Sequence, residues 1–309
     1  MFDSERLILI MKALKKAAAL LAACALCIPL FTGCGNSIDP STIEYIQLEQ
    51  PKEGEDIAIV ETSMGDITVL LYTEEVPEVV QNFKDLVNQG FYDNQIVFHV
   101  EPAAGAVATG SSTPDGNGGD SNTGKPKKAQ YSSNLWPFSG SVAALCYEAG
   151  AFWNKSNYYD SRFFFIGDVD VSDDVVSEME QYNFPAMMKN TFIQYGGVPQ
   201  FGQYHTVFGK IISGMDVVDA ILALPLTYEP ADAAASDSSA TQEQLSNNRP
   251  VEDVVIRKIT LSTYDPADFD HLDNTPTAEE LEELEDRSAQ EQAEMDAALT
   301  GQTTSQAGN

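Results

Sequence analysis

The chain has 309 residues and carries 47 acidic against 17 basic ones, a net charge of −30. A field of that sign repels polyanions, which excludes nucleic-acid or anionic-lipid binding through bulk electrostatics. Four cysteines and three histidines leave little for a disulfide framework or a histidine metal cluster.

Taken in order, MFDSERLILI matches no pattern, whereas a second start at Met11 begins a recognisable one. Lys12, Lys15 and Lys16 form a basic region, Ala17–Phe31 is an apolar run, and Phe31-Thr32-Gly33-Cys34 follows. This is the layout of a secretory signal, residues 1–33, ending in a lipobox-like sequence whose cysteine, Cys34, is cleaved and lipidated. The run of 15 residues is shorter than the roughly 17–25 that span a bilayer. The mature chain, Cys34–Asn309, is thus expected on the outer face of the cell membrane, held by lipid at Cys34. Cleavage removes Arg6, Lys12, Lys15 and Lys16 but only Asp3 and Glu5, so the charge moves to −32. With Cys24 and Cys27 removed and Cys34 blocked, Cys146 stands alone in an apolar run, as a buried small hydrophobe.

Residues 34–55 read as a tether of polar and charged residues. Two strands follow, Ile57–Thr62 and Asp66–Tyr72, about a Met64-Gly65-Asp66 turn. Pro77 suits the first turn of a helix that runs to Gln89, with Val79, Val80, Phe83, Leu86 and Val87 as its buried stripe. Gln95–Val100 and Val142–Tyr147 read as strands. Residues 170–196 carry a helical pattern broken at Pro185, and residues 229–248 are an Ala/Ser/Asp-rich loop. Thr206–Ile212 is a strand interrupted at Gly209, and Ser213-Gly214 turns it into a helix with Met215, Val218, Ile221 and Leu222 on one face. Beyond Tyr264 the chain is acidic: Thr277 and Glu280 can form a capping box for a helix from Ala278 to Leu299. Residues 265–309 are expected as a solvated helix followed by a disordered end. Gly116-Asn117-Gly118-Gly119 precedes no helix and so offers no phosphate cradle. Lys125, Lys127 and Lys128 read as a solvated loop.

Four blocks carry a resemblance: ETSMGDITVLLY with VPEVVQNFKDLVNQGFYD, SRFFFI (Ser161–Ile166), HTVFGKIISGMDVVDAI (His205–Ile221) and RPVEDVVIRKITL (Arg249–Leu261). They resemble, in the right order, the cyclophilin-type peptidyl-prolyl cis-trans isomerases. The resemblance implies a mainly β fold over residues 56–264: a closed eight-stranded antiparallel barrel with two capping helices, the two insertions and the acidic tail lying outside it. It implies a monomer acting on Xaa-Pro bonds of secreted polypeptides, with no cofactor and no metal. Two of the three histidines stand in the resembled fold and His271 lies in the tail.

The reaction is rotation about an amide whose barrier of about 20 kcal/mol comes from C–N double-bond character. In the family, an apolar pocket grips the proline ring and an arginine directly after a Phe-His pair donates to the prolyl nitrogen. This chain reads Phe98-His99-Val100-Glu101-Pro102. The arginine's place falls on Val100 if aligned on Phe-His, or on Glu101 if aligned on Gly105, and neither is a donor. Ala106, Val107 and Thr109 replace larger groove residues, Gln200 replaces a tryptophan, and Tyr147 and Glu148 replace a small residue and its polar neighbour. Phe164, Phe201, His205 and Thr109 are implied to line the peptide pocket. Arg162 shares a strand face with Phe164, so it either enters the groove as a relocated catalytic donor or pairs with Glu148 or Glu101. The resulting expectation is a membrane-anchored isomerase-family protein with weakened catalysis. The alternative is a non-catalytic peptide-binding module on the same fold.

Overall fold

The computed structural model describes residues 42–151, 154–227 and 248–306. The signal sequence, Cys34 and nearly all of the 229–248 loop lie outside the described residues. Among the described residues no helix is long and apolar enough to cross a membrane.

Among the described residues, twelve strands and five α-helices follow in chain order. They are β1 (Asp56–Thr62), β2 (Asp66–Leu71), α1 (Pro77–Asn88), β3 (Gln95–Ile96), β4 (His99–Glu101), β5 (Ala106–Thr109), β6 (Lys127–Lys128) and β7 (Ser141–Ala144). Then come β8 (Tyr147–Ala151), β9 (Asn154–Tyr159), β10 (Phe163–Ile166), α2 (Asp173–Gln181), α3 (Ala186–Tyr195), β11 (Thr206–Ser213), α4 (Met215–Leu222), β12 (Val255–Thr263) and α5 (Ala278–Gln306). The β1–β2 turn is tied by Thr62, whose hydroxyl donates to the Gly65 carbonyl at 2.6 Å and accepts from the Met64 and Gly65 amides. A side chain at Gly65 would meet Val217 of α4 at 2.7 Å, and its φ of +143° is a conformation L residues rarely adopt.

Nine strands form one antiparallel sheet in the order β3-β12-β1-β2-β11-β7-β10-β5-β4. Its two edges, β3 and β4, belong to a single segment, residues 95–101. The Val97 amide still donates to Val254, beside β12, whereas the next amide, Phe98, donates to Ala108 of β5. The sheet therefore closes on itself through one broken strand. The barrel expected as eight continuous strands comes out as nine because the chain changes partners at residues 97–98.

Inside, the rings of Phe83 and Phe163 each lie 5.3–6.2 Å from those of Tyr92 and Phe208 and 5.5 Å from each other. Aromatic pairs at these separations favour edge-to-face packing, and Phe83–Phe163 and Tyr92–Phe163 adopt it. Phe83 is delivered by α1, whose stripe Val79, Val80, Phe83 and Leu86 is buried. From α4, Val218 and Ile221 are buried, and Gly167 lets Leu222 approach within 2.3 Å of where a Cβ would stand. A second sheet, β6-β9-β8, stands apart. Lys127 and Lys128 are strand residues within it, paired with Tyr159 and Tyr158, rather than part of a loop.

The tail departs most from the sequence reading. The capping box forms, with Thr277 N–H donating to the Glu280 carboxylate at 2.8 Å and Glu280 N–H to the Thr277 hydroxyl. The helix it starts is not merely solvated, because α5 packs on α3. Leu284 is fully buried, Lys189 of α3 is ion-paired to Glu291 and Glu180, and Asn190 donates to Ser288 and Glu291. The stretch before it is anchored too, since Asn274 donates to the Ile211 carbonyl and Lys210 to the Thr275 hydroxyl.

Candidate functional site

Ladder register assigns each side chain of the site to a face, because directly opposed residues point the same way. In one row, Phe163 of β10 opposes Thr109 of β5 and Ala144 of β7. In the next inward row, Phe165 opposes Val107, which opposes Val100 of β4. Phe163 packs against the interior rings of Phe83, Tyr92 and Phe208, so both rows face inward. Phe164, Ala108, His99 and Ala143 form the intervening row on the outer face.

The outer row carries an aromatic cup. Phe201 comes from the 3-10 turn Pro199–Phe201, and His205 from the loop that follows, its amide bonded back to the Phe201 carbonyl at 3.1 Å. Phe164, Phe201 and His205 stand mutually edge-to-face, with centroids 5.7, 5.0 and 5.1 Å apart. Tyr204 adds a fourth ring 4.8 Å from His205. His205 Nδ1 accepts the Cys146 amide at 3.0 Å. Burial pushes its pKa down to about 3, against a smaller opposing pull from the Ala144 backbone. His205 is therefore neutral, with its proton on Nε2. Phe164 is only 2% exposed, beneath half-buried Phe201 and His205. Cys146 is buried, as read from the sequence, and burial pushes its thiol up to about 11.

Phe164, Phe201 and His205 thus come together, whereas Thr109 does not join them. It is buried in the inward row, and its hydroxyl donates to the Ile96 carbonyl. The sequence places it in the groove because the resemblance was aligned on Gly105, and a one-residue shift reverses the face of a strand residue. Val100 is also inward and fully buried. Glu101 is outward and half-buried, opposite Ala106.

Arg162 is neither free in the groove nor paired with Glu148 or Glu101. It is 2% exposed, and its Nε and Nη2 donate to the two oxygens of Asp160 at 2.9 and 2.6 Å. Nη1 donates to the Gly116 carbonyl at 2.9 Å, and the guanidinium carbon stands 5.5 Å from the Tyr147 ring centroid. Glu148 is taken by Lys155 at 2.5 Å. The Gly116–Gly119 loop covers this pair, and a Cβ on Gly119 would fall 2.2 Å from an Asp160 oxygen. Close approach to a buried ion pair is what the glycine-rich loop permits. In extended chain, Asp160-Ser161-Arg162 puts acid and base on one face, a signal the sequence reading passed over.

A closed antiparallel barrel with an outer aromatic cup defines a cyclophilin-like isomerase fold. The family model for cyclophilin type peptidyl-prolyl cis-trans isomerase/CLD matches residues 57–261. The chain belongs to that family. It is 29% identical over 178 residues to a protein of Staphylococcus saprophyticus named "Putative peptidyl-prolyl cis-trans isomerase", covering 57% of this chain and 86% of that one. A protein of the same name from Staphylococcus aureus strain USA300 is 28% identical over the same span. Among solved structures, a Cryptosporidium parvum cyclophilin type peptidyl-prolyl cis-trans isomerase matches at 20% identity and a TM-score of 0.48, over 69% of this chain and 99% of that one.

Proposed function

We propose that this protein is a lipid-anchored, extracytoplasmic cyclophilin that binds Xaa-Pro segments of secreted polypeptides and isomerises them slowly. The observation that carries this reading is the cup of Phe164, Phe201 and neutral His205 with the guanidinium of Arg162 withheld from it by Asp160. Rings set edge-to-face in this way form an apolar surface that suits a proline ring. What they do not supply is a charged donor for the prolyl nitrogen. Losing one preorganised donor typically costs about 10²–10³ in rate. Phe164 lies under Phe201 and His205, so entry of a proline ring requires one of these rings to turn outward. The signal and Cys34 support the anchor, and the strong negative charge keeps the domain clear of the anionic membrane surface.

Two-dimensional NMR exchange spectroscopy on a panel of Xaa-Pro peptides tests the reading. Exchange above the peptide blank, with shift changes at Phe164, Phe201 and His205, is the expected result. Shift changes without exchange would leave a non-catalytic binding module, and no response would remove the groove from function altogether.

A further inference from the structure

A cleft of about 600 Å³ lies between residues 44–56 and the connection from β2 to α1, and it shares no lining residue with the aromatic cup. One wall is held by Gln47, whose side-chain amide donates to and accepts from the Trp136 backbone at 2.9 and 2.6 Å. The other follows β2, fixed by the Tyr72 amide on the Phe208 carbonyl at 2.9 Å. Seven carboxylates and one lysine line the space. Lys84 pairs with Asp56 at 2.7 Å, and the lining lysine, Lys52, with Glu49 at 3.6 Å. Glu55 accepts the Lys52 amide and meets the charge of buried Lys210, while Glu75 accepts from the Ser132 and Asn134 side chains. Glu44, Glu53 and Glu74 stand exposed on the rim. Acid therefore exceeds base in a concave space, where the field of like charges is concentrated.

Carboxylates alone would make only a solvated face. What distinguishes this cleft is its floor. Tyr72 lines it and is 8% exposed, and its hydroxyl is buried with no hydrogen-bond partner among the described residues. Buried polar atoms are nearly always paired, so an unmet phenol in the lining of an open cleft marks a place for a ligand atom. Burial, joined by the charges of Glu55, Glu49 and Glu75, pushes its pKa upward, which sets three wall carboxylates close to it. A phenol oxygen can accept from a cation while its own proton is donated to a carboxylate. Ile46, Leu70 and Leu71 line the same space and offer apolar wall to a methylene stem. Among the described residues no three carboxylates, thiols or imidazoles converge as a metal ion requires. One floor acceptor beside one apolar wall fits a single charge on a single stem, rather than the several charges of a polyamine. We propose that this cleft binds the ammonium or guanidinium group of a lysine or arginine side chain in a polypeptide, at a site independent of proline recognition. The Tyr72 oxygen takes one N–H of the cation, and Glu55 and Glu75 take others.

Isothermal titration calorimetry of the full mature chain with three proline-free peptides tests this. They differ only in carrying lysine, arginine or the uncharged stem of norleucine. The lysine and arginine peptides should bind and the norleucine peptide should not. Glu55→Gln with Glu75→Gln should weaken the lysine peptide by about tenfold or more. Glu282→Gln with Glu285→Gln removes the same charge from exposed positions of α5 and should leave the affinity within about twofold. Tyr72→Phe removes only the unmet hydroxyl, so it should weaken the peptide by about threefold or more while the Tm of the free protein does not fall. Equal affinity in Tyr72→Phe and parent overturns the proposal. So does an equal loss in the two double variants, which would make net charge rather than the cleft the binding surface. Spermidine binding with the expected variant pattern, where the lysine peptide does not bind, overturns it in favour of free amines. Because the peptides contain no proline, each of these failures leaves the isomerase reading standing.

Discussion

The carboxylate of Asp160 holds the guanidinium of Arg162 at two points, 2.9 and 2.6 Å away, with both side chains nearly sealed from solvent. Breaking such a pair by removing one partner typically costs about 3–5 kcal/mol, because the remaining charge is left buried and unpaired. Asp160→Asn and Arg162→Met should each destabilise the barrel by that order in urea titrations. The double variant should lose far less than the sum, since no charge is stranded. Additive losses would show that the two side chains act separately.

Tail docking makes a second prediction. A chain ending at Tyr264 loses the burial of Leu284, leaves Lys189 paired with Glu180 alone, and removes the Asn274 and Thr275 contacts to β11. Burial of a leucine side chain alone is worth about 1.5–3 kcal/mol, hence a fall in Tm of several degrees. Differential scanning calorimetry of the truncated and full chains checks it. An unchanged Tm would return α5 to the solvated tail that its sequence suggests.

Much of the fold is legible in the sequence because its signals are local. The Thr62–Gly65 turn, the α1 stripe and the Thr277–Glu280 capping box each need only a few neighbouring residues. Side-chain faces around β4 and β5 are not legible in this way. Aligning on Phe98-His99 or on Gly105 assumes an unbroken strand, whereas the chain changes partners at 97–98 and the register sets Thr109 opposite inward Phe163 and His99 on the row of Phe164. The α5 docking is hidden for another reason. Lys189, Asn190, Ala186 and Gln292 hold it by polar contacts, and apolar periodicity cannot report those.

Lys210 gives the pH prediction. It is 2% exposed, its ammonium donates to the Gln47 carbonyl at 2.8 Å and to Thr275 at 2.9 Å, and burial pushes its pKa down to about 7 despite the opposing charge of Glu55. Unfolded, a lysine titrates near 10.4. Between these values the unfolded chain holds a proton that the folded chain has released, so stability rises with pH. The slope should approach about 1.4 kcal/mol per pH unit above pH 7. Urea midpoints are compared between pH 6.5 and about 8, below the range in which the unfolded Cys146 thiol ionises while the buried one stays protonated. Lys210→Met should flatten that slope, and a parent slope of zero would exclude a buried titrating amine.

The anchor is tested in cells. Cys34→Ala should shift the protein from the membrane fraction to a soluble one or leave an unprocessed precursor. Membrane association unchanged by that substitution would place the attachment elsewhere.

Access to Phe164 carries the last prediction. Its ring is 2% exposed and lies edge-to-face with Phe201 at 5.7 Å and His205 at 5.0 Å. A ligand that binds only the opened cup has its apparent affinity reduced by the fraction of molecules that are open. Phe201 is the easier ring to move, because His205 is also held by the Cys146 amide while Phe201 comes from a short turn. Phe201→Leu keeps an apolar rim but removes the ring edge from Phe164, at a half-buried position outside the barrel interior. The dissociation constant for an Xaa-Pro peptide, followed by NMR shift titration, should then fall severalfold. The change should appear in binding and not in the exchange rate at saturation, since a phenyl ring offers no hydrogen bond to the prolyl nitrogen. A weaker complex would mean that the Phe201 ring is a gripping wall of the pocket rather than its cover.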